Sequence, residues 1–180
     1  MQLIFKNSGI LSVMAAFLFT ASGGISLAAS RSSATIDISV TVKALTCTPD
    51  WAGKGATVDF GKISLKDFSS TVGQVASERK FTLSLTECDA SVSKVKVTAT
   101  GTPDPNESRY FANNGTAKGV GLKLYDTDTL ATLGNGESAE FYVANKSAEM
   151  NFSAQLVNTG GAALTTGNIA SFVTLNMTYE

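Results

Sequence analysis

Gly167-Asn-Ile-Ala-Ser-Phe-Val-Thr-Leu-Asn-Met-Thr-Tyr-Glu180 is the stretch whose reading decides the fold. Val173, Leu175, Met177 and Tyr179 alternate with Thr174, Asn176, Thr178 and Glu180. This period of two belongs to a strand with one buried face. Because the polypeptide stops at Glu180, the strand is expected to be completed by something other than its own continuation. A counterpart stands near the other end, where Ala34, Ile36, Ile38, Val40 and Val42 alternate with Thr35, Asp37, Ser39, Thr41 and Lys43.

Met1 to Ala28 reads as an export leader, with Lys6 in the basic region, an apolar run from Ile10 to Ala21 and a small-x-small site at Ser26-Leu27-Ala28. A membrane span needs about 20 apolar residues, and Ser22-Gly23-Gly24 interrupts this run first. The remaining chain is long enough for one domain with its own core, divided here into an N-terminal arm, residues 29–43, and a body, residues 44–180. Loss of Lys6 leaves 13 basic against 15 acidic residues. That balance argues against nucleic acid as a partner, which calls for a basic patch.

The chain has no histidine, which removes Ser-His-Asp and Cys-His catalysis and the commonest metal ligand. Its aspartates are scattered, and Asp126-Thr127-Asp128 lacks the further ligands of a calcium loop. No enzyme, cofactor or metal reading gains support from these residues. Cys47 and Cys88 are the only cysteines, and in an exported chain that spacing favours one structural disulfide over a redox pair or a metal site. Asn114-Gly115-Thr116 and Asn145-Lys146-Ser147 match glycosylation sequons and read here as turns.

Between the two terminal strands the pattern stays β. Thr57 to Ile63 alternates with a bulge expected at Gly61, and Lys66 to Glu78 reads as polar and turn-rich. Phe81-Leu83-Leu85, Val95-Val97-Ala99, Val120-Leu122-Leu124, Phe141-Val143 and Phe152-Ala154-Leu156 are further strands. Trp51 falls in a loop, Thr102 to Gly119 reads as a long loop, and Asn135-Gly136 as a hairpin turn. Short strands, abundant Gly, Ser and Thr and no helical period predict an all-β sandwich.

The pattern Cys47, Val58-Asp59-Phe60-Gly61, Phe81-Thr82-Leu83-Ser84-Leu85, Cys88-Asp89, Gly119-Val120-Gly121-Leu122, with Gly167 and penultimate Tyr179, resembles the subunits of chaperone–usher fimbriae, the type 1 pilin family. The resemblance implies an incomplete immunoglobulin-like (pilin) β-sandwich completed by donor-strand complementation. Ala34, Ile36, Ile38, Val40 and Val42 would be the donor strand. Gly167, Val173, Leu175, Met177, Tyr179 and Glu180 would form the strand that meets a periplasmic chaperone, which would hold the Glu180 carboxylate through basic residues. Neighbouring pilin subunits and an outer-membrane usher are the other implied partners, and the product would be a fimbria on the bacterial surface. The alternative is a fimbrial adhesin or tip adaptor that binds a host receptor directly, through the segment Thr102 to Gly119. The family places a glycine seven residues before the first cysteine, where this chain has Val40. Either small residues such as Ala170 or Ala163 widen the groove, or the donor serves a dedicated partner. Read from its alternation alone, Tyr179 would cap the core with its hydroxyl in water.

A Cys47–Cys88 bond would stabilise the fold by roughly 3–4 kcal/mol, mainly by restricting the unfolded chain. Cys47→Ala is therefore expected to lower the yield of exported protein several-fold in a periplasmic extract, and an unchanged yield would assign the bond no role in folding.

Overall fold

A computed structural model of the chain describes residues 34–42, 47–51 and 55–180. The leader, the rest of the arm and its boundary at residues 43 and 44 lie outside the described residues. The strands are β1 (Ala34–Val42), β2 (Thr48–Pro49), β3 (Ala56–Gly61), β4 (Val75–Thr86), β5 (Lys94–Gly101), β6 (Phe111–Ala112), β7 (Val120–Asp126), β8 (Ser138–Tyr142), β9 (Ala148–Asn158) and β10 (Ile169–Tyr179). They form two five-stranded sheets, ordered β3-β1-β10-β5-β8 and β2-β4-β9-β7-β6.

Alternation decides which side chains enter the space between the sheets. On β1, Ala34, Ile36 and Ile38 are buried while Thr35, Asp37 and Ser39 are exposed. On β5, Val95, Val97 and Ala99 point inward, and on β10 Ile169, Ser171, Val173, Leu175 and Met177 do so. The opposite sheet contributes Leu83, Leu85, Leu122, Leu124, Met150, Phe152, Ala154 and Leu156 to the same cluster. Phe152 lies at its centre, stacked 5.4 Å from Phe81 and edge-on 5.3 Å from Phe141. Cys47 and Cys88 are joined and buried, tying the approach to β2 to the end of β4. Trp51 is half-buried against the core.

Three local expectations change. Strand β4 starts at Val75, inside the stretch read as turns, because it pairs with β9 along its whole length and buries part of its polar face there. Asn135-Gly136 is a turn, with Gly136 at φ +86°, but not a hairpin turn: β7 and β8 belong to different sheets. It is fastened to β5 instead, through Gly136 N–H to the Ala99 carbonyl (2.7 Å) and Gly101 N–H to Asn135 Oδ1 (3.0 Å). The third is the segment Thr102 to Gly119, which carries β6 and folds around buried Asp104, whose Oδ1 accepts the N–H groups of Asn106 and Glu107. The bulge at Gly61 is present: β1–β3 pairing shifts between Ala34 and Thr35, and Gly61 has φ +67°. Asn145 and Lys146, at φ +51° and +60°, make the tight turn that Ala144 and Ser147 close.

Gly167 opens β10 because main chain passes too close for any side chain. A Cβ there would lie 2.4 Å from Ala117 N and 2.7 Å from Thr116 Oγ1. The same approach lets Asn168 N–H donate to Thr116 Oγ1 and Ala117 N–H donate to the Asn168 carbonyl. Gly167→Ala is expected to destabilise the fold by about 1–3 kcal/mol in urea unfolding, since backbone must move to admit the methyl group.

Candidate functional site

The candidate site is a slot in the first sheet, bounded by β3 on one side and β10 on the other. Among the described residues β3 pairs with β1 alone, so β1 is what joins it to the rest of the sheet. Without β1, two strand edges and the apolar floor between them would face water together. Such an edge presents a row of free N–H and C=O groups and is a template for another strand.

The occupant is the chain's own β1. It runs parallel to β10, from Ala34 opposite Ile169 to Val42 opposite Met177, and antiparallel to β3, from Thr35 opposite Asp59 to Ile38 opposite Ala56. Ile36 and Ile38 are fully enclosed, at 0% and 2% exposure. Burial of these two side chains contributes on the order of 3–6 kcal/mol as an upper bound. On the outer face Thr57 Oγ1 donates to Asp37 Oδ1 across the β1–β3 pair (3.3 Å). Among the described residues the gap between β3 and β10 is thus filled by the chain's own β1.

Val40 is half-buried and lies opposite Leu175. The proposed widening by Ala170 or Ala163 is not found: Ala170 pairs with Thr35 at the far end, and Ala163 is exposed in a loop. Among the described residues the β1–β3 pairing runs as far as Ile38 and Ala56, and Val40 pairs with β10. The side chain of Val42 lies outside the described residues.

Beyond Ala34 the slot continues as a small apolar depression of about 40 Å³, lined among others by Gly61, Ile63, Phe68, Val120 and Ile169. Alanine is too short to fill it. Sequence reading missed Ile169 and Ser171, which carry the inward face of β10 two steps further back. The parity was there to extend, but a serine does not look like a core residue. Its hydroxyl is satisfied by donating to the Ala112 carbonyl at 2.9 Å, which is what lets Ser171 be fully buried.

The far end of β10 is held by β5. The Glu180 main-chain oxygen accepts from Ser93 N–H (2.7 Å), Lys94 N–H (2.9 Å) and Ser93 Oγ (3.2 Å), and Glu180 N–H donates to the Lys94 carbonyl (2.8 Å). Lys94 Nζ pairs with Glu180 Oε2 at 2.9 Å and Glu140 Oε1 at 3.1 Å. These contacts hold the Glu180 carboxyl below the usual carboxylate range and the Lys94 ammonium above its ordinary value. Both stay charged at neutral pH. Tyr179 does not put its hydroxyl in water. The oxygen is buried with no hydrogen-bond partner among the described residues, and burial pushes the phenol up from 10.0.

The described residues hold no group of His, Cys, Asp or Glu suited to a metal ion. What they hold is a strand-binding slot in a two-sheet β-sandwich, the architecture of pilus subunits. The crystal structure of the P pilus rod subunit PapA matches with a TM-score of 0.64 at 19% identity, covering 75% of this chain and 99% of that one. A subunit of a chaperone–usher pilus structure matches with a TM-score of 0.65 at 20% identity, over 78% and 91%. The family described as fimbrial protein matches residues 36–180, and the chain belongs to it. FimG of Escherichia coli strain K12 is 33% identical over 172 residues, 93% of this chain and 95% of FimG. The S-fimbrial adhesin protein SfaS of E. coli O6:K15:H31 is 34% identical over 123 residues, 68% of this chain and 72% of SfaS.

A buried hydroxyl without a partner costs about 1–3 kcal/mol relative to one in water. Tyr179→Phe is thus expected to leave thermal stability unchanged or raise it by about 1 kcal/mol. The raised phenol has its own pH signature: the unfolded chain ionises first, so stability falls as pH rises above about 10. The phenylalanine variant should lose that part of the decline in a melting series from pH 8 to 11.

Proposed function

We propose that this structural pilus subunit of the chaperone–usher type uses the slot between β3 and β10 as its acceptor and the β1 segment as the strand it donates to a neighbour. The observation that carries this reading is the position of β1: an N-terminal strand inside a sheet, between β3 and β10, whose removal strips β3 of its only described partner. An inner strand drawn from the N-terminal arm can be exchanged without rethreading the rest. The apolar faces meet the chemistry of strand addition, with main-chain pairing giving affinity and alternate side chains giving specificity. Donation from one copy to the next is head-to-tail and does not close, so it builds a filament.

In this reading a periplasmic chaperone covers the slot after export, the usher passes the subunit outward, and neighbouring subunits fill the slot in the fibre on the cell surface. Val173, Leu175 and Met177 form the wall an incoming strand meets, and Gly167 starts that wall. A chaperone that grips the Glu180 carboxylate would take it from Ser93 and Lys94. The role is structural rather than enzymatic, in keeping with the family and with the lack of histidine. Direct receptor binding through the Thr102 to Gly119 segment is a second reading, favoured by the likeness to an adhesin over two thirds of the chain. Saturable binding of isolated subunit in a receptor overlay would support it.

Deletion of residues 34–42 is expected to leave a subunit that co-purifies with its chaperone but does not extend fibres. Ile38→Asp should cut incorporation at least tenfold, because an unpaired carboxylate in that position costs several kcal/mol. Immunogold counts of tagged subunit per fibre measure both, and wild-type fibres from either variant would assign donation to another segment.

A further inference from the structure

The second sheet, on the far side of the core from the slot, has an organised outer face. On β9 the side chains of Phe152, Ala154 and Leu156 enter the core, so Ser153 and Gln155 point the other way. Register sets Glu78 and Lys123 on either side of Gln155, and Lys80 and Tyr125 on either side of Ser153. The long side chains close over the strand between them. Glu78 Oε1 accepts from Ser153 Oγ at 2.6 Å and from Tyr125 Oη at 2.8 Å, and Lys123 Nζ lies 5.5 Å from the centre of the Tyr125 ring. The Ser153 and Tyr125 hydroxyls hold the Glu78 carboxyl below the usual carboxylate range, so it is charged at neutral pH. One group in this network is left over. Gln155 is 7% exposed, and its Oε1 is buried with no hydrogen-bond partner among the described residues. A buried amide oxygen of that kind calls for a donor. Its Nε2 reaches Tyr125 Oη only at 3.4 Å, a long contact that lets the amide turn its oxygen outward.

We propose that this outer face of β4, β9 and β7 binds a neutral saccharide, with Gln155 and Glu78 accepting from sugar hydroxyls, Lys80 and Lys123 donating to them, and the Tyr125 ring meeting the sugar's C–H face. The charges select the class of ligand. An anion meets Glu78, a cation meets an ammonium group on each flanking strand, and an apolar ligand strips water from all three charges without return. A polyol suits donors and acceptors alike, because each hydroxyl is both. The face is shallow, so a single contact is weak. A fibre repeats the face in every copy, and linked sites gain avidity without any new contact. The site stands on the sheet opposite the slot and does not depend on which strand fills it.

NMR titration of the isotope-labelled exported chain with the methyl glycosides of glucose, galactose, mannose and N-acetylglucosamine tests the site. At least one glycoside is expected to give saturable shifts of the Gln155 side-chain amide and of the Lys123 and Tyr125 backbone amides, half-complete at a concentration on the order of 10 mM or below. Gln155→Leu keeps the bulk and removes both polar atoms. It should weaken that binding roughly fivefold or more and leave fibre incorporation unchanged. Undiminished binding by this variant would overturn the proposal. Should the variant fold poorly, the shift map of the unmodified chain decides the matter. Saturable shifts at these residues support the site. Shifts that stay linear to the highest concentration, shifts centred elsewhere, or none with any of the glycosides refute it and leave the Gln155 oxygen to bound water alone. Strand donation is read from fibres and saccharide binding from the single subunit, so either can fail without the other.

Discussion

The structure depends on one strand filling one gap. β3 and β10 are not neighbours, and the distance between them is bridged only by β1, which pairs with both. The main chain of β1 satisfies two edges at once while Ile36 and Ile38 close the core from that side. Either task alone could be met locally, edges by water and apolar side chains by collapse. Meeting both at the same place requires an extended segment with alternating character, and any segment of that kind could serve.

The rest of the slot is built to keep its shape. β10 is clamped at its start by the close passage of Gly167 against Thr116 and Ala117, and at its end by Ser93 and Lys94. Between those clamps its second edge is paired with β5 from Val173 to Tyr179. One wall therefore has support of its own, while β3 relies on β1 and on the chain that leads to β4. This asymmetry places the adaptable side of the slot at β3, where the glycine bulge also lies.

Much of this was legible from residue order. The strands at Val95, Val120, Phe152 and Val173 announced themselves by alternation, and the bulge at Gly61 and the turn at Asn145-Lys146 by residue type. Elements that failed to show did so for identifiable reasons. Val75 to Glu78 looks like loop because it holds little apolar alternation, and the Glu78 carboxylate is satisfied only by distant residues, accepting hydrogen bonds from Tyr125 Oη and Ser153 Oγ. Asn135-Gly136 has the composition of a hairpin turn, yet the strands it joins belong to opposite sheets, a distinction no local signal carries. Ser171 was invisible as a core residue because its partner, the Ala112 carbonyl, is 59 positions away in the chain.

By itself the sequence determined the class of fold and, for Ile36, Ile38, Val173, Leu175 and Met177, the face that is buried, because a strand's period of two is a local property. Tertiary structure alone decided which strand fills the slot in the isolated chain and in what direction. Pairing partners are chosen by the relative position of distant segments, and alternation specifies a face without specifying a neighbour.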